Sequence, residues 1–163
     1  MRFLKLIVIS ILLLFLLLTA FSSLLPSQVR ISRAVDINTS NEKLRNELLN
    51  LENWSQWNEF IKMLPDQNIT QRRITTNQLT VTLDKFSKNV VTTQWVQQNG
   101  KTFPAVFNII SQDSLTTTLQ WYFDFRFRWY PWEKFSSIIY DRQLGPQMEQ
   151  SLLSLKQLLE KAS

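Results

Sequence analysis

The chain has 163 residues and a formal net charge of +5, with no cysteine, no histidine and only two glycines. The missing cysteine excludes disulfides and thiolate metal sites, and the missing histidine removes the commonest general base and the usual zinc ligand. Two glycines are too few for the glycine-rich loops that bind nucleotide phosphates, so no cofactor is expected.

The first feature along the chain is an uncharged segment of twenty residues, 6–25, with the sequence LIVISILLLFLLLTAFSSLL. As a helix it would be about 30 Å long, which matches the hydrocarbon thickness of a bilayer. Residues 1–25 are therefore predicted to form a single-pass transmembrane anchor that ends at Pro26. A cleaved signal peptide is the alternative, because small residues around Ala20 fit a cleavage site.

The charges beside this segment do not decide its orientation in the membrane, because basic residues flank both ends. Arg2 and Lys5 precede it, whereas Arg30 and Arg33 follow it closely. Folded domains cross membranes largely regardless of their charge. We therefore expect residues 26–163 to form one extracytoplasmic domain, with the membrane as a partner through residues 6–25.

The domain begins with a strand predicted over residues 28–38, in which apolar and polar side chains alternate. A helix follows, and three adjacent residues could cap it: Thr39, Ser40 or Asn41. A second short helix is predicted around Trp54 and Trp57, ending at Pro65.

Five further strands are predicted next, over residues 68–75, 78–85, 88–97, 103–110 and 114–129. The sequence Asn99-Gly100 is a strong signal for a tight turn between the third and fourth of these. The last strand has the clearest alternation, because its odd positions from Leu115 to Trp129 are almost all apolar. Such a strand has one buried face.

The C-terminal part is predicted to be helical after Pro131. One helix is expected over residues 132–143, with three apolar residues on one side: Trp132, Phe135 and Ile139. Gly145-Pro146 is predicted to end it and start another. That second helix has an apolar stripe formed by Met148, Leu152, Leu155 and Leu159. The whole pattern predicts an α+β domain in which the last helix covers one face of an antiparallel sheet.

Three segments in this order have a familiar form: VRISRAVDINTS at 29–40, LENWSQWNEF at 51–60 and LGPQMEQSLLSLK at 144–156. They resemble the first strand, the tryptophan-containing loop-helix and the final helix of the SRPBCC superfamily, the START-like or Bet v 1-like helix-grip proteins of polyketide cyclase/dehydrase type. The resemblance covers about residues 28–160. It implies a curved antiparallel sheet wrapped around a long C-terminal helix, with a hydrophobic cavity between them. Residues 66–80 lack the glycine-rich connection common in the family, so the early strands are expected to be shorter or differently registered.

Members of this superfamily bind lipids, sterols, polyketides or other apolar molecules, and the resemblance implies a hydrophobic or lipid-like ligand here. The aromatic strand face and the facing helix provide the candidate cavity wall: Arg33, Trp57, Trp95, Phe107, Trp121, Phe123, Phe125, Leu152 and Leu155. Aromatic surfaces can hold a ligand by dispersion and exclusion of water. The alternative is a closed core, which would make the protein a structural or regulatory interaction domain.

Two of these candidates have an equally simple structural interpretation. Arg33 interrupts an apolar strand face and could orient an anionic head group, but it could also form an ion pair or reach solvent. Trp57, with Trp54, could border the cavity entrance or pack the short helices.

Catalysis receives little support from the acidic residues. Asp36, Asp84 and Asp124 fall on polar strand faces, and Glu133 and Asp141 are expected in solvent. Because no two carboxylates converge, acid–base catalysis is not expected. An enzyme of cyclase or hydrolase type, working without histidine through Tyr130, Arg33 or a loop acid, is the second alternative.

A nucleic-acid partner is not expected either. Arg126 and Arg128 lie beside aromatic residues, but they share their predicted strand face with Asp124. The small net charge provides no strong electrostatic surface for a polyanion.

Overall fold

The computed structural model describes residues 2–24, 27–111, 116–127 and 130–161. Helix α1 covers Arg2–Ser23. Its apolar part, Phe3–Ser23, is long and apolar enough to cross a membrane; its large apolar side chains are exposed, whereas Ser22 near its C-terminal end is buried and α1 contacts the final helix of the chain. Both a membrane anchor and a signal sequence have this length and composition. Pro26, the predicted end of the segment, lies outside the described residues.

The elements after α1 follow the predicted order closely. Strand β1 covers Gln28–Ile37 and helix α2 covers Asn41–Leu49. Of the three possible capping residues, Ser40 is the one that caps α2, because its hydroxyl accepts a hydrogen bond from the Lys43 N–H at 3.3 Å. A 3₁₀ turn and two short helices then follow, at Leu51–Asn53, at Trp54–Trp57 (α3) and at Glu59–Lys62 (α4).

Six strands follow the short helices: β2 Asn68–Thr70, β3 Arg73–Thr75, β4 Leu79–Phe86, β5 Val90–Gln97, β6 Thr102–Ser111 and β7 Thr117–Arg126. With β1 they form one seven-stranded antiparallel sheet in the order β1-β7-β6-β5-β4-β3-β2. The chain therefore runs as a meander from β2 to β7, and β1 closes the sheet at the β7 edge.

The single strand predicted over residues 68–75 is wrong. The segment forms a small hairpin instead, in which β2 and β3 have three residues each and Ile69 lies opposite Ile74. Only Ile74 of this pair is fully buried. These early strands are short because the pair has little apolar surface to bury.

Strand β7 has the alternation predicted for it. Its odd positions from Thr117 to Phe125 are buried, and its even positions from Thr118 to Asp124 are only partly so. The strand ends at Arg126, earlier than predicted; Leu115 and Trp129, the ends of the predicted alternation, lie outside the described residues. The buried face packs on the final helix, α5, which covers Pro131–Lys161.

Helix α5 differs from prediction in two ways. It is continuous, so the predicted break at Gly145-Pro146 is wrong, and Pro146 lies inside the helix. Its second half buries the predicted stripe of Met148, Leu152, Leu155 and Leu159, and this packing outweighs the hydrogen bond that a proline removes. The predicted apolar side of its first half is not buried: Trp132 is 62% and Ile139 is 54% exposed. The side chain of Phe135 lies outside the description.

Candidate functional site

Most of the residues predicted to line a cavity lie in a solid aromatic core. Trp57, Phe107, Trp121 and Phe123 are all fully buried. Phe107 stacks on Trp121 with ring centroids 5.0 Å apart, and Trp95 meets Phe123 edge-to-face at 5.2 Å. Leu152 and Leu155 of α5 are buried against the same cluster. These contacts favour the closed-core interpretation for the inner part of the sheet, because rings at such distances leave no room for a ligand between them.

Two indole groups in this core differ from the others in their hydrogen bonding. The N–H of Trp54 donates to the Leu48 carbonyl at 3.2 Å, and that of Trp95 donates to the Thr93 hydroxyl at 3.0 Å. The buried N–H groups of Trp57 and Trp121 have no acceptor among the described residues. An unpaired buried donor costs on the order of 1–3 kcal/mol, so these indoles are present for their ring surface.

A cavity of about 460 Å³ lies beside this core, between the β5–β6 hairpin, the end of β7 and the first half of α5. Its lining consists of Gln97, Lys101, Thr102, Phe103, Phe125, Arg126, Phe127, Glu133 and Tyr140. Of the nine predicted wall residues, Phe125 is the one that lines it. Binding sites for small ligands have volumes of roughly 300–1,000 Å³, so this cavity is large enough for one.

The cavity has an aromatic floor and a charged rim. Phe125 lies at the centre of the floor, because its ring centroid is 4.9 Å from that of Phe103 and 4.9 Å from that of Tyr140. Phe127 extends the floor, 5.5 Å from Tyr140. Lys101 and Arg126 are exposed at the rim. An apolar base with a few polar groups is the usual composition of a site for an amphipathic ligand.

Glu133 lies at the cavity and not in solvent, where the sequence placed it: it is half-buried and lines the cavity. The helical pattern could not reveal this, because the side of α5 that meets the cavity depends on how the helix lies on the sheet. Phe127 had a usable signal in the sequence, because it continues the apolar odd positions of the last predicted strand. Phe103 is found only from the register, which pairs Ala105 with Phe123 and so brings the start of β6 beside the end of β7.

Arg33 forms ion pairs with helix α5, as in the simpler of the two interpretations above. Its guanidinium donates to Glu149 at 2.6 Å and to Asp141 at 3.0 Å, and its side chain is 26% exposed. Burial acts to lower the pKa of Arg33, but the hydrogen bonds to Glu149 and Asp141 outweigh it and raise the pKa. Arg33 does not line the 460 Å³ cavity.

Gly145 provides the space for this guanidinium. A Cβ added at Gly145 would overlap with Nη2 of Arg33. Alanine in place of glycine normally stabilises a helix by about 1 kcal/mol. We expect Gly145→Ala to give that full gain when Arg33 is replaced by alanine, but only about half of it in the native chain, because Arg33 must then move away from Asp141 and Glu149.

Chemical unfolding of the native chain, both single variants and the double variant measures this difference. An equal gain from Gly145→Ala in both backgrounds would show that Arg33 does not occupy the space beside Gly145.

The predicted polar-face carboxylates do lie away from the cavity floor. Asp124 pairs with Arg30 at 2.7 Å on the outer face of the sheet, and Asp36 accepts a hydrogen bond from Thr118 at 2.6 Å. Burial raises the pKa of Glu47, against the opposing effect of a hydrogen bond from Asn53. Glu47 belongs to α2 and is not among the cavity residues.

Comparison with known proteins supports the fold. No family model and no curated protein matches the chain. Among solved structures, a START superfamily protein from Mycobacterium smegmatis is 17% identical with a TM-score of 0.62, covering 82% of this chain and 99% of its own. Norcoclaurine synthase from Thalictrum flavum, in complex with dopamine and hydroxybenzaldehyde, is 7% identical with a TM-score of 0.61, covering 83% and 88%.

The di-domain ARO/CYC protein BexL from the BE-7585A biosynthetic pathway is 9% identical with a TM-score of 0.60, covering 81% of this chain and 46% of its own. At these identities the similarity establishes the fold alone. The α+β helix-grip fold with START/Bet v 1-like structural neighbours, expected from the sequence, is confirmed, while ligand and activity need separate arguments.

Proposed function

We propose that this protein is a membrane-anchored START-like domain that binds a hydrophobic or lipid-like ligand in the 460 Å³ cavity and does not catalyse a reaction. The observation that supports this most directly is the cavity itself. Its floor of Phe103, Phe125 and Phe127 offers apolar surface, and Lys101 and Arg126 stand at its rim. An amphiphile could bury its apolar part on the floor while its polar group stays at the rim.

The anchor supports the same function. In this proposal α1 stays attached to the domain, which lies on the extracytoplasmic side. A domain tethered to a bilayer meets any lipid-like ligand at a high effective concentration, so even modest affinity suffices for loading. The exposed apolar surface of α1 is the basis for this step.

The absence of catalysis is proposed from the chemistry of the lining. The chain has no histidine or cysteine to act as base or nucleophile. Among the described lining residues Glu133 is the one carboxylate, and no second acid faces it across the cavity.

An enzyme remains the second candidate because Glu133 and Tyr140 both line the cavity and could exchange protons with a bound molecule. Norcoclaurine synthase, one of the similar structures, is an enzyme. In that case Glu133 would be the acid–base group.

Native mass spectrometry of the full chain, extracted in mild detergent, tests the proposal. We expect a protein species that carries one additional small molecule, which organic solvent removes. Repeated detection of the empty protein alone would contradict ligand binding and favour the structural or regulatory alternative. A bound molecule whose mass changes on incubation, but not with Glu133→Gln, would favour the enzyme.

A further inference from the structure

The strand register brings the cavity and the membrane segment to the same end of the domain. Gln28, the first residue of β1, pairs with Arg126, the last of β7. The β5–β6 hairpin turns at this end too, since β6 begins at Thr102 and runs antiparallel to β7. We call this the anchor end, because helix α1 ends at Ser23 and only four residues separate it from β1. Even fully extended, that connection reaches no further than about 17 Å.

The exposed part of the cavity belongs to the anchor end. Lys101 and Thr102 come from the β5–β6 hairpin and Arg126 from the last position of β7, and all three are exposed. The cavity floor continues inward from them to Phe125, which is 6% exposed. A ligand that reaches the floor from this rim would therefore arrive from the side of the domain where α1 leaves it.

Helix α5 presents unburied apolar side chains in the half that lies over the cavity. Trp132 and Ile139 are seven residues apart, hence on one side of the helix, and both are more than half exposed. The ring of Tyr130 stacks on Trp132 with centroids 4.9 Å apart and planes 11° apart. An exposed pair of stacked aromatic rings gains nothing from contact with water. Trp and Tyr are enriched where a protein meets the headgroup layer of a bilayer.

The charges around this aromatic pair suit the same environment. Neither Lys101 nor Arg126 has an ion-pair partner in the part of the chain that the structure describes. The sequence from 125 to 134, FRFRWYPWEK, contains five aromatic and three basic residues against one acidic residue, Glu133. Aromatic residues interleaved with basic ones are typical of segments that lie on anionic membrane surfaces.

We propose that the anchor end docks on the surface of the bilayer that holds α1, through a docking face formed by Lys101, Arg126, Tyr130 and Trp132. The cavity then opens onto the headgroup layer, and its ligand exchanges directly with the bilayer. This inference rests on the proposed function in one respect, that α1 remains attached to the domain. The occupant of the docking face is a lipid surface containing anionic lipids.

The absence of cysteine allows a direct test, because one introduced cysteine can be spin-labelled without competing sites. Gln98→Cys places the label in the β5–β6 turn at the anchor end, and Ser87→Cys places it in the β4–β5 turn at the opposite end; both residues are exposed. The full chain is inserted into nanodiscs of phosphatidylcholine with a minority of phosphatidylglycerol. Collisions of the label with oxygen and with a water-soluble nickel chelate are then measured.

We expect the label at position 98 to become several-fold more accessible to oxygen than to the chelate, and the label at position 87 to behave as in water. Water-like accessibility at both positions would overturn docking, whether or not native mass spectrometry finds a ligand. A docked label without any bound ligand would instead contradict the proposed function and leave docking standing.

A matched pair of substitutions identifies the docking face. Trp132→Glu should return the label at position 98 to water, because a carboxylate is repelled by anionic lipid. Leu153→Glu is the control, since Leu153 is 48% exposed on the same helix but lies beyond Gly145. Equal effects of the two substitutions would overturn the proposal. So would a label at position 98 that is shielded from the nickel chelate by single-stranded RNA without lipid, because the docking face would then bind a nucleic acid.

Discussion

Replacing Phe127 with aspartate should reduce ligand loading by at least about tenfold. Phe127 forms the outer part of the cavity floor, half-buried beside Tyr140 and Phe125. A carboxylate there either draws water onto the apolar floor or loses its own hydration, and both compete with an apolar ligand. Because Phe127 lies just beyond the end of β7, the core should remain folded. Native mass spectrometry of the variant measures the loaded fraction.

Phe86→Asp is the control for this substitution. Phe86 is 48% exposed at the end of β4 and does not line the cavity. The same chemical change there should leave loading unaltered. If Phe127→Asp binds as much ligand as the native chain, the 460 Å³ cavity is not the binding site.

Replacing Trp121 with alanine should lower the free energy of unfolding by about 3–5 kcal/mol. Trp121 is fully buried, and five rings surround it: Trp57, Phe60, Trp95, Phe107 and Phe123. Removing the indole leaves a large void that a sheet packed on a helix cannot close. Since domains are stable by only about 5–15 kcal/mol, the loss is a large share of the total. Chemical unfolding followed by fluorescence measures it.

Two further variants show what part of the indole matters. Trp121→Phe should cost much less than Trp121→Ala, because it keeps an aromatic ring and removes an N–H that has no acceptor among the described residues. Trp132→Ala should change stability by no more than about 0.5 kcal/mol, since Trp132 is exposed. If Trp121→Ala is as mild as Trp132→Ala, the inner cluster is loosely packed and could itself admit a ligand.

The packed core and the cavity divide the sheet into two parts with different roles. Around Trp121 the aromatic side chains fill the space under the second half of α5, and that half is held by Leu152 and Leu155. Beyond Phe125 the first half of α5 leaves a cavity instead. The closed-core and ligand-binding interpretations therefore describe neighbouring regions of one domain, and the proposed function concerns the outer region.

Local periodicity was enough to predict most of the elements. The alternation in β1 and β7, the Asn99-Gly100 turn and the stripe from Met148 to Leu159 are properties of neighbouring residues, and the structure contains all of them. The sequence also located the cap of α2 to residues 39–41, and the structure selected Ser40. The long apolar segment of α1 likewise follows from composition alone. The resemblance of three segments to START-like proteins then predicted how these elements assemble, and the similar solved structures have the same fold.

The tertiary structure alone decided where the free volume lies. Whether Trp121 lines a cavity or fills one depends on the side chains that three strands and α3 bring to it, and no periodicity in a single element contains that information. The same reason explains the exposed Trp132, the half-buried Glu133 and the partners of Arg33: each depends on how α5 lies across the sheet. A pattern along one helix gives the direction in which a side chain leaves the helix axis. Its burial depends on which other elements lie in that direction, and these are placed by the tertiary structure.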